Sequence, residues 1–197
     1  MRLRWLPLFL LLAGCVFRDA AEPRFYRPQS AALDAGVQRA DDPPAPAGTS
    51  TAAVRLQTVN GTPFLRERIV WRSSDVEYGL YEQRRWSELP ASYVQRALES
   101  ALRDEPGLRL SDDYKAPALR VDVVAFDEVL APAHVASVAL VVSLRDDKRR
   151  RLLDRTFSTD APIAGDTASA AAEAMGRALD QVVAEVAVAV AQQLRVR

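Results

Sequence analysis

Val135–Leu144 is a nearly unbroken run of apolar residues, rich in β-branched side chains, and strand-like stretches flank it on both sides. Such a run is far shorter than the ~20 apolar residues that span a bilayer. β-Branching favours extended backbone, and a continuous apolar run fits a strand buried on both faces. The run is therefore expected at the centre of a sheet. Before it, Leu119, Val121 and Val123 alternate with Arg120 and Asp122, which puts one apolar and one polar face on a strand over Leu119–Val129. After it, Asp146-Asp147-Lys148 make a turn, and Leu152–Ser158 returns antiparallel.

A sheet with one apolar face needs a second layer, and two stretches supply helical spacing. Pro90 fits the first turn of a helix, where its missing N–H costs nothing. Val94, Ala97, Leu98, Ala101 and Leu102 then share one face, and Pro106-Gly107 ends the helix. A longer helix, capped by Asp166 or Thr167, carries Met175, Leu179, Val182, Val183, Val186, Val190 and Leu194 as an apolar stripe. Upstream, Val54–Val59 alternates as a strand ended by Asn60-Gly61. Ile69–Arg72 and Val76–Tyr81 flank Ser73-Ser74-Asp75 as a hairpin, and Leu108–Leu110 is a short strand. Strands, helix, strand meander and helix predict an α+β two-layer sandwich: a largely antiparallel mixed sheet with two helices packed on one face.

The first residues do not belong to that fold. Arg2 and Arg4 precede an apolar stretch over Trp5–Leu12, followed by Leu12-Ala13-Gly14-Cys15. This reads as a lipoprotein signal peptide over residues 1–14: Leu12, Ala13 and Gly14 form the cleavage motif, and Cys15 takes the diacylglycerol. Cys15 is the only cysteine, so no intramolecular disulfide can form. Beyond this covalent lipid no cofactor is expected. The residue after it is Val16 rather than the aspartate that commonly retains such proteins at the inner membrane. By that sorting rule the protein is expected at the periplasmic face of the outer membrane. Two of the 26 basic residues, Arg2 and Arg4, leave with the signal, so the mature chain carries 24 against 26 acidic residues. That balance gives no reason to bind nucleic acid.

Residues 15–52 form the lipidated N-terminal segment, with a brief strand at residues 24–28, and the compact domain is expected over residues 53–197. Residues 31–53 are rich in Ala, Asp, Pro, Gly, Ser and Thr. They read as a flexible linker that cannot offset its ordering entropy by burial. If Phe25-Tyr26 is a strand of the fold, the same residues are a loop within it and the tether is only residues 16–23.

Several stretches together carry a family resemblance. They are Phe64-Leu65-Arg66-Glu67-Arg68-Ile69-Val70-Trp71-Arg72, then Val76-Glu77-Tyr78, Tyr81, and Arg85-Trp86-Ser87-Glu88-Leu89-Pro90. With the lipobox, Phe25-Tyr26-Arg27-Pro28 and the Ala-rich last helix, they resemble the ABC-type transport auxiliary lipoprotein family, the PqiC-like intermembrane transport lipoproteins. Phe64 stands where the family has Tyr, Arg68 where many members have Pro, and Leu89-Pro90 replaces the usual ending of the Trp element. The resemblance implies a non-catalytic outer-membrane accessory of an MCE-type lipid transport system. An MCE-domain protein would be its partner, and a ring-shaped homo-oligomer a further expectation. A general structural envelope lipoprotein and a periplasmic hydrolase are the alternatives.

Tyr78, Tyr81, Arg85 and Trp86 are the densest aromatic and arginine cluster, the residue types that anchor interfaces. They are candidates for a docking face; the competing reading packs Trp86 under the first helix and pairs Arg85 with Glu88. His134, the single histidine, is expected in a turn. One histidine and one lipidated cysteine make no metal site, and no catalytic residue is assigned: neither a Gly-x-x-x-x-Gly-Lys phosphate loop nor a Gly-x-Ser-x-Gly elbow is present. Lys148-Arg149-Arg150-Arg151 is either a solvated hairpin tip or a contact to anionic headgroups.

Overall fold

A computed structural model describes residues 22–38 and 51–195. Among the described residues nine strands and three helices follow one another. They are β1 (Arg24–Tyr26), α1 (Ala31–Gln38), β2 (Ala52–Leu56), β3 (Asn60–Gly61), β4 (Arg68–Arg72) and β5 (Tyr78–Trp86), then α2 (Pro90–Asp104), β6 (Leu108–Leu110), β7 (Ala118–Val129), β8 (Val135–Arg145), β9 (Arg151–Pro162) and α3 (Ala168–Arg195). The fold is the expected α+β sandwich with a mixed sheet.

The apolar run at 135–144 is central, as its composition requires. β8 pairs antiparallel with β7 on one side and with β9 on the other, along nearly its whole length. β7 gives its other edge to three short parallel partners in turn: β2 at Ala118–Leu119, β3 at Asp122–Val123 and β4 at Asp127–Val129. β4 continues antiparallel into β5, and β1 adds to β5 in parallel. Asn60-Gly61 is thus a two-residue strand rather than only a terminator.

A bulge explains why alternation in β7 fades midway. Val123 pairs with Leu140 and Ala125 with Ala139, which leaves Val124 as the extra residue. The extra residue shifts the phase by one, so Phe126 and Glu128 point to the same face as Val123, toward the helices. Without it that face would receive Asp127 instead.

α3 packs on β8 and β9, and α2 on β6 and β7. Every member of the predicted α3 stripe is buried, and Thr167 caps the helix, its hydroxyl accepting from the Ala170 N–H at 3.1 Å. α2 begins at Pro90 and buries Val94, Ala97, Leu98 and Leu102. Gly107 ends the connection with φ 86°, a conformation that favours glycine.

The N-terminal segment departs from expectation. Residues 31–38 form a helix where a linker was expected, and the compact unit starts at β1 rather than near residue 53. Leu33 is fully buried in the common core. α1 is held at its start by two side chains. Ser30 Oγ accepts from the Leu33 N–H, and the Asp180 carboxylate of α3 accepts from Ala31 N–H at 2.8 Å, Ala32 N–H at 3.1 Å and the Ser30 hydroxyl at 2.5 Å. These bonds satisfy N–H groups that a helix start leaves unpaired. Gly176 permits the approach: a Cβ there would lie 1.8 Å from the Gln29 carbonyl oxygen.

Candidate functional site

The end of β7 carries two consecutive buried acids, Asp127 (3% exposed) and Glu128 (4% exposed). Successive strand residues point to opposite faces, so each acid serves a different side of the sheet. Burying an ionised carboxylate is costly unless cations and hydrogen bonds compensate. Both are compensated, by residues that topology rather than sequence brings near.

Glu128 lies on the helix side. Its Oε1 is 2.8 Å from His134 Nε2, its Oε2 is 3.5 Å from Arg84 Nη1, and its charge acts on the neighbouring Tyr81 phenol. The Arg84 guanidinium lies over the Tyr81 ring, 4.2 Å from its centroid. Burial, reinforced by the neighbouring Glu128 charge, pushes the Tyr81 phenol up to about 12, so it remains a donor at any physiological pH. On the other face, Asp127 accepts the Phe126 N–H at 2.7 Å and sits 3.4 Å from Arg72 Nε. Burial holds the Asp127 carboxyl above the ordinary carboxylate range, opposed by the Phe126 N–H and Arg72. Arg72 also reaches Asp75 in the β4–β5 turn, 3.5 Å away.

The result is a charge-balanced end of the sheet, where the β4–β5 turn, the β7–β8 turn and the start of α3 come together. A polar cleft of about 510 Å³ opens beside it, lined by Arg24, Tyr26, Tyr81, Glu82, Arg84 and Thr167 among others. Among the described residues no group of three or more His, Asp or Glu side chains converges as metal ligands. Each buried carboxylate is already matched to a basic group, an arrangement suited to holding two turns rigidly.

The four aromatic and arginine candidates do not form one face. Trp86 is 1% exposed and packs edge-on against Phe126 (centroids 5.3 Å apart) and Tyr93 (6.4 Å). It is a core residue under α2, because the turn of chain from β5 into α2 leaves a gap that a large apolar ring fills. Arg85 is half-buried and stands in register with Phe25 of β1 and Arg68 of β4. It is not the partner of Glu88, which instead takes a bidentate pair from Arg96 at 2.5 and 3.0 Å. That pair holds the Glu88 carboxyl below its usual range. Tyr81 belongs to the Glu128 cluster. Tyr78 is exposed and meets Phe64 edge-on at 6.4 Å.

His134 occupies the β7–β8 turn. Lys148–Arg151 is a hairpin tip in which Arg150 pairs with Asp146 at 2.7 Å and Arg151 with Asp154 at 3.3 Å. Cys15 and the motif Leu12, Ala13 and Gly14 lie outside the described residues. Arg84, Asp127 and Glu128 were missed from sequence. The signal available was two adjacent acids directly after the apolar stretch Val123–Phe126 of β7.

The sequence matches the model of the ABC-type transport auxiliary lipoprotein component over residues 36–187. No curated protein matches it. Among solved structures the chain is similar to protein XCC0632 from Xanthomonas campestris, with a TM-score of 0.70 and 19% identity over 86% of this chain and 96% of that one. A second crystal structure, of an uncharacterized protein, gives a TM-score of 0.60 at 16% identity, covering 87% of this chain and 98% of that one. The PelC dodecamer from Paraburkholderia phytofirmans aligns more weakly, with a TM-score of 0.42 at 10% identity over 73% of this chain and 92% of that one. At these identities the likenesses concern the fold.

Proposed function

The chain belongs to the ABC-type transport auxiliary lipoprotein family, and from that we propose that it is a non-catalytic docking subunit of an MCE-type lipid transport system. In this reading it is anchored through an acylated Cys15 to the periplasmic face of the outer membrane. Its partner is the MCE-domain protein that bridges the periplasm, and copies of the chain assemble into a homo-oligomer around the contact.

The family match, which runs from α1 through most of α3, carries the proposal. Two features of the site support it. The buried acids are neutralised by fixed partners and neither lines the polar cleft beside them, which suits a rigid scaffold more than proton transfer. The nearly neutral surface also favours a protein or lipid partner over nucleic acid.

The test is affinity purification of the tagged, lipidated protein from membranes, followed by mass spectrometry. Recovery of an MCE-domain protein is expected, lost when the bait is denatured and refolded without detergent. Recovery of the bait alone, or with unrelated envelope proteins only, overturns the proposed partner.

A further inference from the structure

The direction in which the chain enters β1 determines which end of the domain lies next to its anchor. β1 runs parallel to β5, with Arg24 in register with Arg84 and Tyr26 with Trp86. The chain therefore arrives from the side on which β5 begins, the side of the β4–β5 turn. Cys15 precedes Arg24 by nine residues, a contour of about 30 Å at most, at ~3.3–3.6 Å per residue. From the level of Arg84 back to Tyr78 is six residues, about 20 Å at ~3.3 Å each. That contour is long enough to carry an anchor on Cys15 past the turn, the side from which the chain enters β1.

The side chains at that end differ from those at the other. In the β4–β5 turn Val76 is 91% exposed, and Tyr78 beside it is covered on one edge by the exposed Phe64. Leu130, also exposed, opens the adjacent turn, its N–H donating to the Arg72 carbonyl at 2.7 Å. Ala131, Pro132 and Ala133 follow it, all exposed. The charges behind these tips are satisfied within the protein: Arg72 by Asp75 and Asp127, Glu128 by Arg84 and His134, and Glu77 by the Ser73 hydroxyl. The opposite end carries exposed Asp112, Asp113, Lys115, Asp147, Lys148 and Arg149. Tyr114, exposed there, lies beneath the Lys115 ammonium. Aromatic and aliphatic tips above paired charges suit the headgroup region of a bilayer, where amphipathic side chains settle; a tip made of exposed charged side chains suits water.

We infer that the β4–β5 and β7–β8 turns form a membrane-facing tip, and that Phe64, Val76, Tyr78 and Leu130 enter the headgroup region of the phospholipid leaflet that holds the acylated Cys15. The inference rests on the reading of Cys15 as the lipidated residue. It assigns the Lys148–Arg151 tip to the periplasmic side, away from headgroups.

Acylation consumes the only native thiol, so a cysteine introduced into the lipidated chain is the single site for a polarity-sensitive fluorophore. Val76→Cys, Leu130→Cys, Tyr114→Cys and Lys148→Cys are exposed positions suited to this. In vesicles of phosphatidylethanolamine and phosphatidylglycerol, labels at 76 and 130 should be quenched by doxyl-labelled lipids and protected from aqueous iodide. Labels at 114 and 148 should show the reverse. Intact mass and vesicle flotation establish separately that Cys15 is acylated and the protein bound. Labels at 76 and 130 that stay open to iodide on bound, acylated protein overturn the inference. So does protection that appears only when a membrane extract supplies a protein partner. A mature chain with no acyl mass on Cys15 overturns the anchor reading, and the inference with it.

Discussion

Trp86 and Asp127 show how much a residue's environment outweighs its type. Tryptophan next to arginine suggests an interface anchor, yet Trp86 is enclosed by Phe126 and Tyr93. Truncation of such a ring costs about 3–5 kcal/mol. Trp86→Ala is therefore expected to lower the unfolding free energy by that order in urea titration, whereas Tyr78→Ala, at an exposed position, should stay within roughly 0.5 kcal/mol. Equal effects at the two positions would contradict the buried placement. Asp127 carries a pH signature. Its folded-state pKa is raised by burial, so the native state holds its proton more tightly than the unfolded state does. That contribution to stability is fully present below the ordinary aspartate pKa and is lost as pH rises through the raised value. Asp127→Asn cannot titrate. The melting temperature of this variant relative to wild type should rise as pH increases from about 3 through the mildly acidic range. A pH-independent difference would mean that Arg72 and the Phe126 N–H fully offset the burial.

At the scale of elements, the least predictable one is α1. Eight residues are too few to be helical alone, since nucleation is unfavourable and short helices are marginal in water. α1 persists because Leu33 is buried and because Asp180, 149 residues beyond Ala31, accepts its first N–H groups. Hydrogen bonds to a charged acceptor contribute about 1.5–3 kcal/mol. Asp180→Ala should destabilise the domain by about that much. Its hydrogen-exchange change should concentrate in residues 31–38 and leave β7, β8 and β9 protected. Uniform loss of protection would indicate that α1 and the sheet unfold as one unit. The β7 bulge acts at the same scale: one extra residue, Val124, keeps Phe126 in the core and delivers Glu128 to Tyr81, Arg84 and His134.

For the whole molecule, the consequence is polarity of the two ends. β7 gathers β2, β3 and β4 along one edge, and β8 and β9 extend from the other. The turns between β4 and β5 and between β7 and β8 fall at one end, and the β6–β7 loop and β8–β9 tip at the other. On the proposed acylation of Cys15, the parallel docking of β1 puts the membrane at the first end and leaves the charged end facing away from it. α3, about 42 Å long at ~1.5 Å per residue, runs between them and fixes their separation.

The sequence by itself determined the elements whose information is local. Period-two alternation, the β-branched run at 135–144, the apolar stripe of α3, Pro90 at a helix start and Gly107 after a helix end each reflect constraints within a few residues, and each stands in the structure. The two-layer class follows from their order. The proposed acylation of Cys15 after Leu12-Ala13-Gly14 is read from the sequence alone. Tertiary structure decided the rest: that residues 31–38 fold, that Trp86 is enclosed, that β1 adds in parallel, and that Asp127 and Glu128 face opposite sides with different partners. These depend on segments far apart in the chain, brought together by packing. A local pattern records whether a residue prefers water, whereas which distant group neutralises or covers it is settled only when the core closes.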